Sequence, residues 1–188
     1  MKIKFIFGLA VAGLFVGSCQ SSSYKVEGYA HDFAEGDTIC MRKISATDSQ
    51  VRYTTVAGGK FYFAGEADSV TLYEIYANGT PEVYVTFFNV AATTTVELNR
   101  KPQLSRVSGT TVNNRWQQLG DSINYYAAEM KRLLQMTAND TLSIKQRALA
   151  TDSLHRQISE LILRTAVRNK DNPLGQYIQT NYKAPEFR

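Results

Sequence analysis

Histidine and cysteine are scarce in this 188-residue chain, with two of each. The cysteines, Cys19 and Cys40, form no CxxC motif, so neither a dithiol redox centre nor a thiolate metal knuckle is encoded. Of the two imidazoles, His155 lies in Thr151-Asp152-Ser153-Leu154-His155, a Ser/His/Asp set in composition only. Close neighbours on a helix point around the cylinder, so Ser153 and His155 are expected to face apart. His31 lies near Asp32, Glu35 and Asp37, but their spacing departs from the Ca²⁺ loop pattern D-x-[DN]-x-[DN]-G, and a solvated turn is expected. Long apolar runs are missing too: the longest, Phe5 to Val16, is 12 residues, short of the ~20 that span a bilayer as a helix. Charge is nearly balanced, at 21 Lys plus Arg against 17 Asp plus Glu, which gives no electrostatic case for nucleic acid. No catalytic constellation, metal site or cofactor is expected.

What the N-terminus does hold is a signal. Lys2 and Lys4 precede the apolar run, which ends in Val16-Gly17-Ser18-Cys19. A positive start, apolar middle and small residues before the cut predict a signal peptide over residues 1–18. The Gly-Ser-Cys ending resembles the lipobox of bacterial lipoproteins, which implies cleavage before Cys19 and acylation of that cysteine. Its lipid would anchor the chain at ~0.8 kcal/mol per buried methylene. A polar linker, residues 19–23, follows with no aspartate and no acidic stretch. By resemblance to lipoprotein sorting signals, the expected location is the periplasmic face of the outer membrane. Cys40 is then left alone in a strand-like run, Thr38 to Ile44, where a single cysteine is expected to pack as a small hydrophobe.

Fold class reads as α+β. From 24 to 107, about seven short runs rich in Val, Tyr, Phe and Thr predict an antiparallel, sandwich-like sheet. Gly58-Gly59 and Asn78-Gly79-Thr80-Pro81 suit tight hairpins. Over 108–188 the period changes to helical. Val112, Trp116, Leu119, Ile123, Tyr126, Met130 and Leu133 fall on one stripe, expected to be core. Ser143 and Gln146 make a capping box for a second helix with an apolar face through Leu154, Ile158, Leu161 and Ile162. The two helices are expected to form a hairpin, closed by a short helix from Leu174 to Tyr182.

Three sets of residues carry a family resemblance. Glu35-Gly36-Asp37-Thr38-Ile39, Gly58-Gly59-Lys60-Phe61-Tyr62-Phe63 with Gly65, and Val107-Ser108-Gly109 with Asn113 and Asn114 opening a helix resemble domain of unknown function 4369. The tail from Asn169 to Tyr177 is similar to the segment that precedes a thioredoxin-like, AhpC/TSA-type domain in lipoproteins of that family. Two departures stand out: Asn89-Val90-Ala91-Ala92 replaces the expected Glu-x-Gly turn, and the sequence ends where the redox domain would begin. The resemblance therefore carries over no redox activity.

Tyr62, Tyr73, Tyr76 and Tyr84, together with Phe87 and Phe88, would suit a sugar or peptide platform, although alternating strand aromatics serve more often as core and cross-strand pairs. Six of eight aspartates are followed by Ser or Thr, five of these then by Ile, Val or Leu. That pattern resembles the O-glycosylation signal of Bacteroidetes-type bacteria and marks Thr38, Ser69, Ser122, Thr141 and Ser153 as acceptors. The expected protein is a lipid-anchored, non-catalytic binding or scaffold module with an envelope protein partner. Two alternatives stand beside it: an accessory of thiol redox or peroxide defence, and a carrier of a glycan or peptide.

Overall fold

The computed structural model describes residues 23–44, 50–67, 71–101, 103–136 and 143–183. The signal segment 1–18, Cys19, Ser69 and Thr141 lie outside these. Among the described residues the chain forms eight strands followed by three helices. Strands β1 (Ser23–Tyr29), β4 (Lys60–Glu66), β7 (Thr93–Glu97) and β8 (Arg106–Ser108) make one sheet in the order β4-β1-β7-β8. Strands β2 (Thr38–Lys43), β3 (Arg52–Thr55), β5 (Thr71–Ala77) and β6 (Thr80–Asn89) make the second, in the order β3-β2-β5-β6. Helices α1 (Thr111–Gln135), α2 (Ile144–Arg168) and α3 (Pro173–Asn181) complete the α+β fold.

The sheets face each other across one apolar layer. Val26, Phe61, Phe63 and Val96 of the first sheet meet Ile39, Met41, Ile75, Val85 and Phe87 of the second. Clean alternation in β1 and in most of β4 follows from the period of 2: every second residue is buried and the outer face is wet. β2 and the end of β6 break this alternation, because they are buried on both faces.

The eight strands agree with the seven or so expected, the additional one, β8, being only three residues long. Two features depart from the antiparallel sheet expected from the sequence: β1 pairs with β7 in parallel, and the Gly58-Gly59 segment, read as a hairpin, carries the chain between sheets. The Gly58-Gly59 turn forms, with φ of 59° and 71° and a bridge from Ala57 to Lys60. Yet β3 and β4 belong to different sheets. The chain leaves β3 at Val56, which is fully buried in the core and hydrogen-bonds to Gly36 and Asp37 of the acidic turn. Likewise Asn89-Val90-Ala91-Ala92 joins β6 to β7 in the opposite sheet, where the Ala92 carbonyl accepts from Lys25 N–H at 3.1 Å. By contrast, Asn78-Gly79 closes the expected β5–β6 hairpin within one sheet.

A second apolar cluster joins the helices to the outer face of the second sheet. Leu72 and Phe88 from β5 and β6 meet Leu119, Ala166, Leu174 and Ile178. Trp116 touches both clusters. Its ring, Phe88 and Tyr177 pack mutually edge to face at 5.6, 5.8 and 5.7 Å, the geometry the ring quadrupoles favour. Its indole Nε1 donates to the Thr86 carbonyl and hydroxyl, each at 3.0 Å. Capping is as the sequence predicts at α2, where Ser143 and Gln146 close a capping box. The α1 stripe is buried less evenly than expected. Leu119 and Leu133 are buried, but Tyr126 and Met130 are only half-buried and join neither cluster.

Instead the most buried residue of α1 is polar. The Asn113 side chain accepts from Phe88 N–H at 2.7 Å and donates to the Phe88 carbonyl at 3.0 Å and to Thr94 Oγ1 at 3.1 Å. Its amide thus takes the place of a neighbouring strand along β6 and links both sheets to the helix. Four residues on, Gln117 Oε1 does the same for β8 by accepting from Val107 N–H at 2.8 Å. Residues at i and i+4 share a helix face, so α1 presents both amides to the open side of the sandwich.

Candidate functional site

Cross-strand register collects the site on the outer face of the second sheet. Cys40 of β2 pairs with Tyr53 of β3 and with Tyr76 of β5, which in turn pairs with Tyr84 of β6. One row across four strands therefore reads Tyr53, Cys40, Tyr76, Tyr84. Tyr53 is 66% exposed and Tyr84 51%, both high for large aromatic side chains. In the next row Arg42 pairs with Glu74, at 2.8 Å from Nε and 2.6 Å from Nη2. The same guanidinium lies 5.0 Å from the Tyr76 ring centroid, a cation–π contact. The result is a tyrosine platform with a fixed cation and a carboxylate on its border.

Of the tyrosines singled out from sequence, only Tyr76 and Tyr84 belong to this face. Tyr62 is exposed on β4, in the other sheet. Tyr73 turns inward and packs its ring against Phe87, 6.1 Å away. Tyr53, which the sequence reading left out, completes the row. Its parity with Cys40 becomes visible only once β2 and β3 are in register.

Cys40 itself is 1% exposed. Burial pushes its thiol pKa up, outweighing a hydrogen bond with Tyr76 and the nearby charge of Arg42 that pull it down. Burial likewise raises the Tyr76 phenol. Both groups stay protonated at neutral pH, the state of a packed thiol rather than a nucleophile.

The other candidates are dispersed. In the acidic turn, Asp37 Oδ2 accepts from Ala34 N–H and Glu35 Oε2 accepts from Gly58 N–H, each at 3.0 Å, so these carboxylates hold turns in shape. Among the described residues no group of three His, Cys, Asp or Glu side chains could hold a metal ion. His155 is exposed on α2, outside the four strands that carry the tyrosine row. Thr38 opens β2, Ser122 lies on α1 with its hydroxyl donating to the Gln118 carbonyl, and Ser153 lies on α2 accepting from Gln157. These three hydroxyls do not converge. Among the described residues no helix is long and apolar enough to cross a membrane.

Beside the platform, a cleft of about 460 Å³ opens between β6, the loop around Leu104 and the middle of α1. Tyr84 contributes to both.

No curated protein matches this sequence. The sequence family described as a domain of unknown function (DUF4369) matches residues 24–116, from β1 through the first turns of α1. That span takes in Asn113 and Trp116, the residues that lock the helix to both sheets. Residues 24–116 therefore form a DUF4369 domain.

Proposed function

We propose that this protein is a lipid-anchored envelope protein, held by Cys19 at the periplasmic face of the outer membrane, whose DUF4369 domain acts by binding rather than catalysis. The observation that carries the reading is the row in which exposed Tyr53 and Tyr84 flank half-buried Tyr76, bordered by the Arg42–Glu74 pair. Flat, rigid rings with a polar tip bury a large area at little entropic cost, which suits sugar rings and peptide side chains alike. A buried, protonated Cys40 in the same row supports a packing role for the thiol and speaks against a thiol-redox accessory.

Two measurements test the proposal. In cells, Cys19→Ala abolishes partitioning of the protein into detergent, because the lipid is the strong membrane attachment. Unchanged membrane retention refutes the anchor. In vitro, the mature chain is titrated against envelope oligosaccharides and peptides, and combined Tyr53→Ala and Tyr84→Ala weakens binding at least tenfold. Because both rings are largely exposed, the melting temperature stays nearly constant. Full retention of binding by that variant refutes the platform.

A further inference from the structure

The geometry points to a peptide-binding groove at the edge of β6, in which an extended segment of a partner protein adds as a short fifth strand to the second sheet. This deepens the binding reading by naming the ligand class, and it rests on that reading.

β6 is an outer strand of its sheet. In an antiparallel pair, alternate residues turn their N–H and C=O away from the neighbouring strand. Phe88 is one of these, since both its main-chain groups are taken by the Asn113 amide. Thr86 is the next, and its carbonyl accepts from the Trp116 indole. By the same alternation, Thr86 N–H and both main-chain groups of Tyr84 face away from β5 and into the cleft. One end of this edge is thus occupied by groups that stand in for a strand. The other end presents the same pattern to an opening of about 460 Å³, within the ~300 to 1,000 Å³ typical of ligand pockets.

Two further observations favour a peptide in that opening. Its walls carry the exposed amides of Gln103 and Asn124 and the 57% exposed side chain of Leu104, a mixture suited to a peptide backbone with an apolar side chain. Gly120, in the middle of α1, also lines it. A helix-interior glycine costs ~1 kcal/mol relative to alanine, yet a Cβ added at Gly120 would meet nothing within 4 Å. Packing within the chain does not require this glycine; its effect is to keep the cleft open. The Leu104 loop and α1 flank the edge, so a single extended segment fits where the whole sheet of a second copy would collide. Main-chain pairing of this kind supplies affinity, and alternate side chains supply specificity.

The test uses a displayed library of random eight-residue peptides selected on the mature chain. The best binder is expected to lose at least tenfold in affinity to Gly120→Leu, which fills the cleft, and to Thr86→Pro, which removes a free edge N–H without breaking a β5–β6 bond. N-methylation of the peptide at alternate positions should abolish binding, while methylation at the intervening positions is tolerated. Should Thr86→Pro fail to fold, Gly120→Leu and the methylation series decide alone. A binder indifferent to Gly120→Leu but lost with Tyr53→Ala lies on the tyrosine face; that overturns the groove and leaves the binding reading intact. A library that yields no peptide preferring wild type over Gly120→Leu also overturns the groove, whereas loss of all ligands, sugars included, overturns the binding reading itself.

Discussion

Replacing Asn113 with leucine, nearly the same size, removes the amide without leaving a large cavity. Asn113 is fully buried, and so is the Phe88 main chain that it holds at 2.7 and 3.0 Å. The substitution leaves one buried N–H and one buried C=O unpaired, and takes a donor from the Thr94 hydroxyl. Each buried group left without a partner costs ~1 to 3 kcal/mol, so the main-chain pair alone predicts a loss of about 2 to 6 kcal/mol. That is a large share of the ~5 to 15 kcal/mol that stabilises a typical domain. At ~2 to 4 °C per kcal/mol for a chain of this size, a loss of 3 kcal/mol lowers the melting temperature by roughly 6 to 12 °C. Urea titration of the mature chain gives the free energy directly, and Asn114→Ala is the control. Asn114 accepts from Gly109 N–H at 3.2 Å in an exposed setting, where such a bond contributes about 1 kcal/mol or less. Equal, small losses for the two variants would refute the claim that Asn113 serves as the missing strand.

Other perturbations probe different joints of the fold. Trp116→Ala removes one ring of the Phe88–Trp116–Tyr177 cluster, for which ~3 to 5 kcal/mol is typical, and should shift one cooperative calorimetric transition; two transitions with only one moved would make sheets and helices independent units. Burial works to raise the Asp121 pKa, but hydrogen bonds from Arg106 and Gln117 and the Arg106 charge outweigh it and hold the carboxyl below its ordinary value. A depressed folded value means that the contribution is present above the unfolded carboxylate range and lost as pH falls through the folded value. With side chains 50% and 38% exposed, the Arg106–Asp121 coupling from a double-mutant cycle should be ~1 kcal/mol or less at pH 7 and vanish in strong acid; a coupling that survives acid contradicts the assignment. Native Cys40 should react with a thiol reagent at neutral pH far more slowly than the unfolded chain, and Cys40→Ser should be only modestly destabilising; rapid native labelling would reopen the redox alternative.

The sequence by itself determined the local elements and the family. Alternating Val, Tyr and Phe, paired glycines and the Ser143–Gln146 capping box are short-range signals, because a pleat, a turn or a helix start depends on residues only a few positions apart. The motifs quoted for the DUF4369 resemblance are local in the same sense, and the family match spans them up to Trp116. Which sheet each strand joins was not written locally. Gly58-Gly59 makes the same tight turn whether the chain returns along its own sheet or crosses to the other, and burial of Val56 decides the crossing. Register across four strands placed Tyr53, Tyr76 and Tyr84 on one surface and turned Tyr73 inward, while the crossing after β3 put Tyr62 in the opposite sheet. Asn113 reads in the sequence as an ordinary polar residue of a first helical turn. Its role exists only because tertiary packing brings the unpaired edge of β6 against that turn, where a buried N–H and C=O must find partners and the amide supplies both.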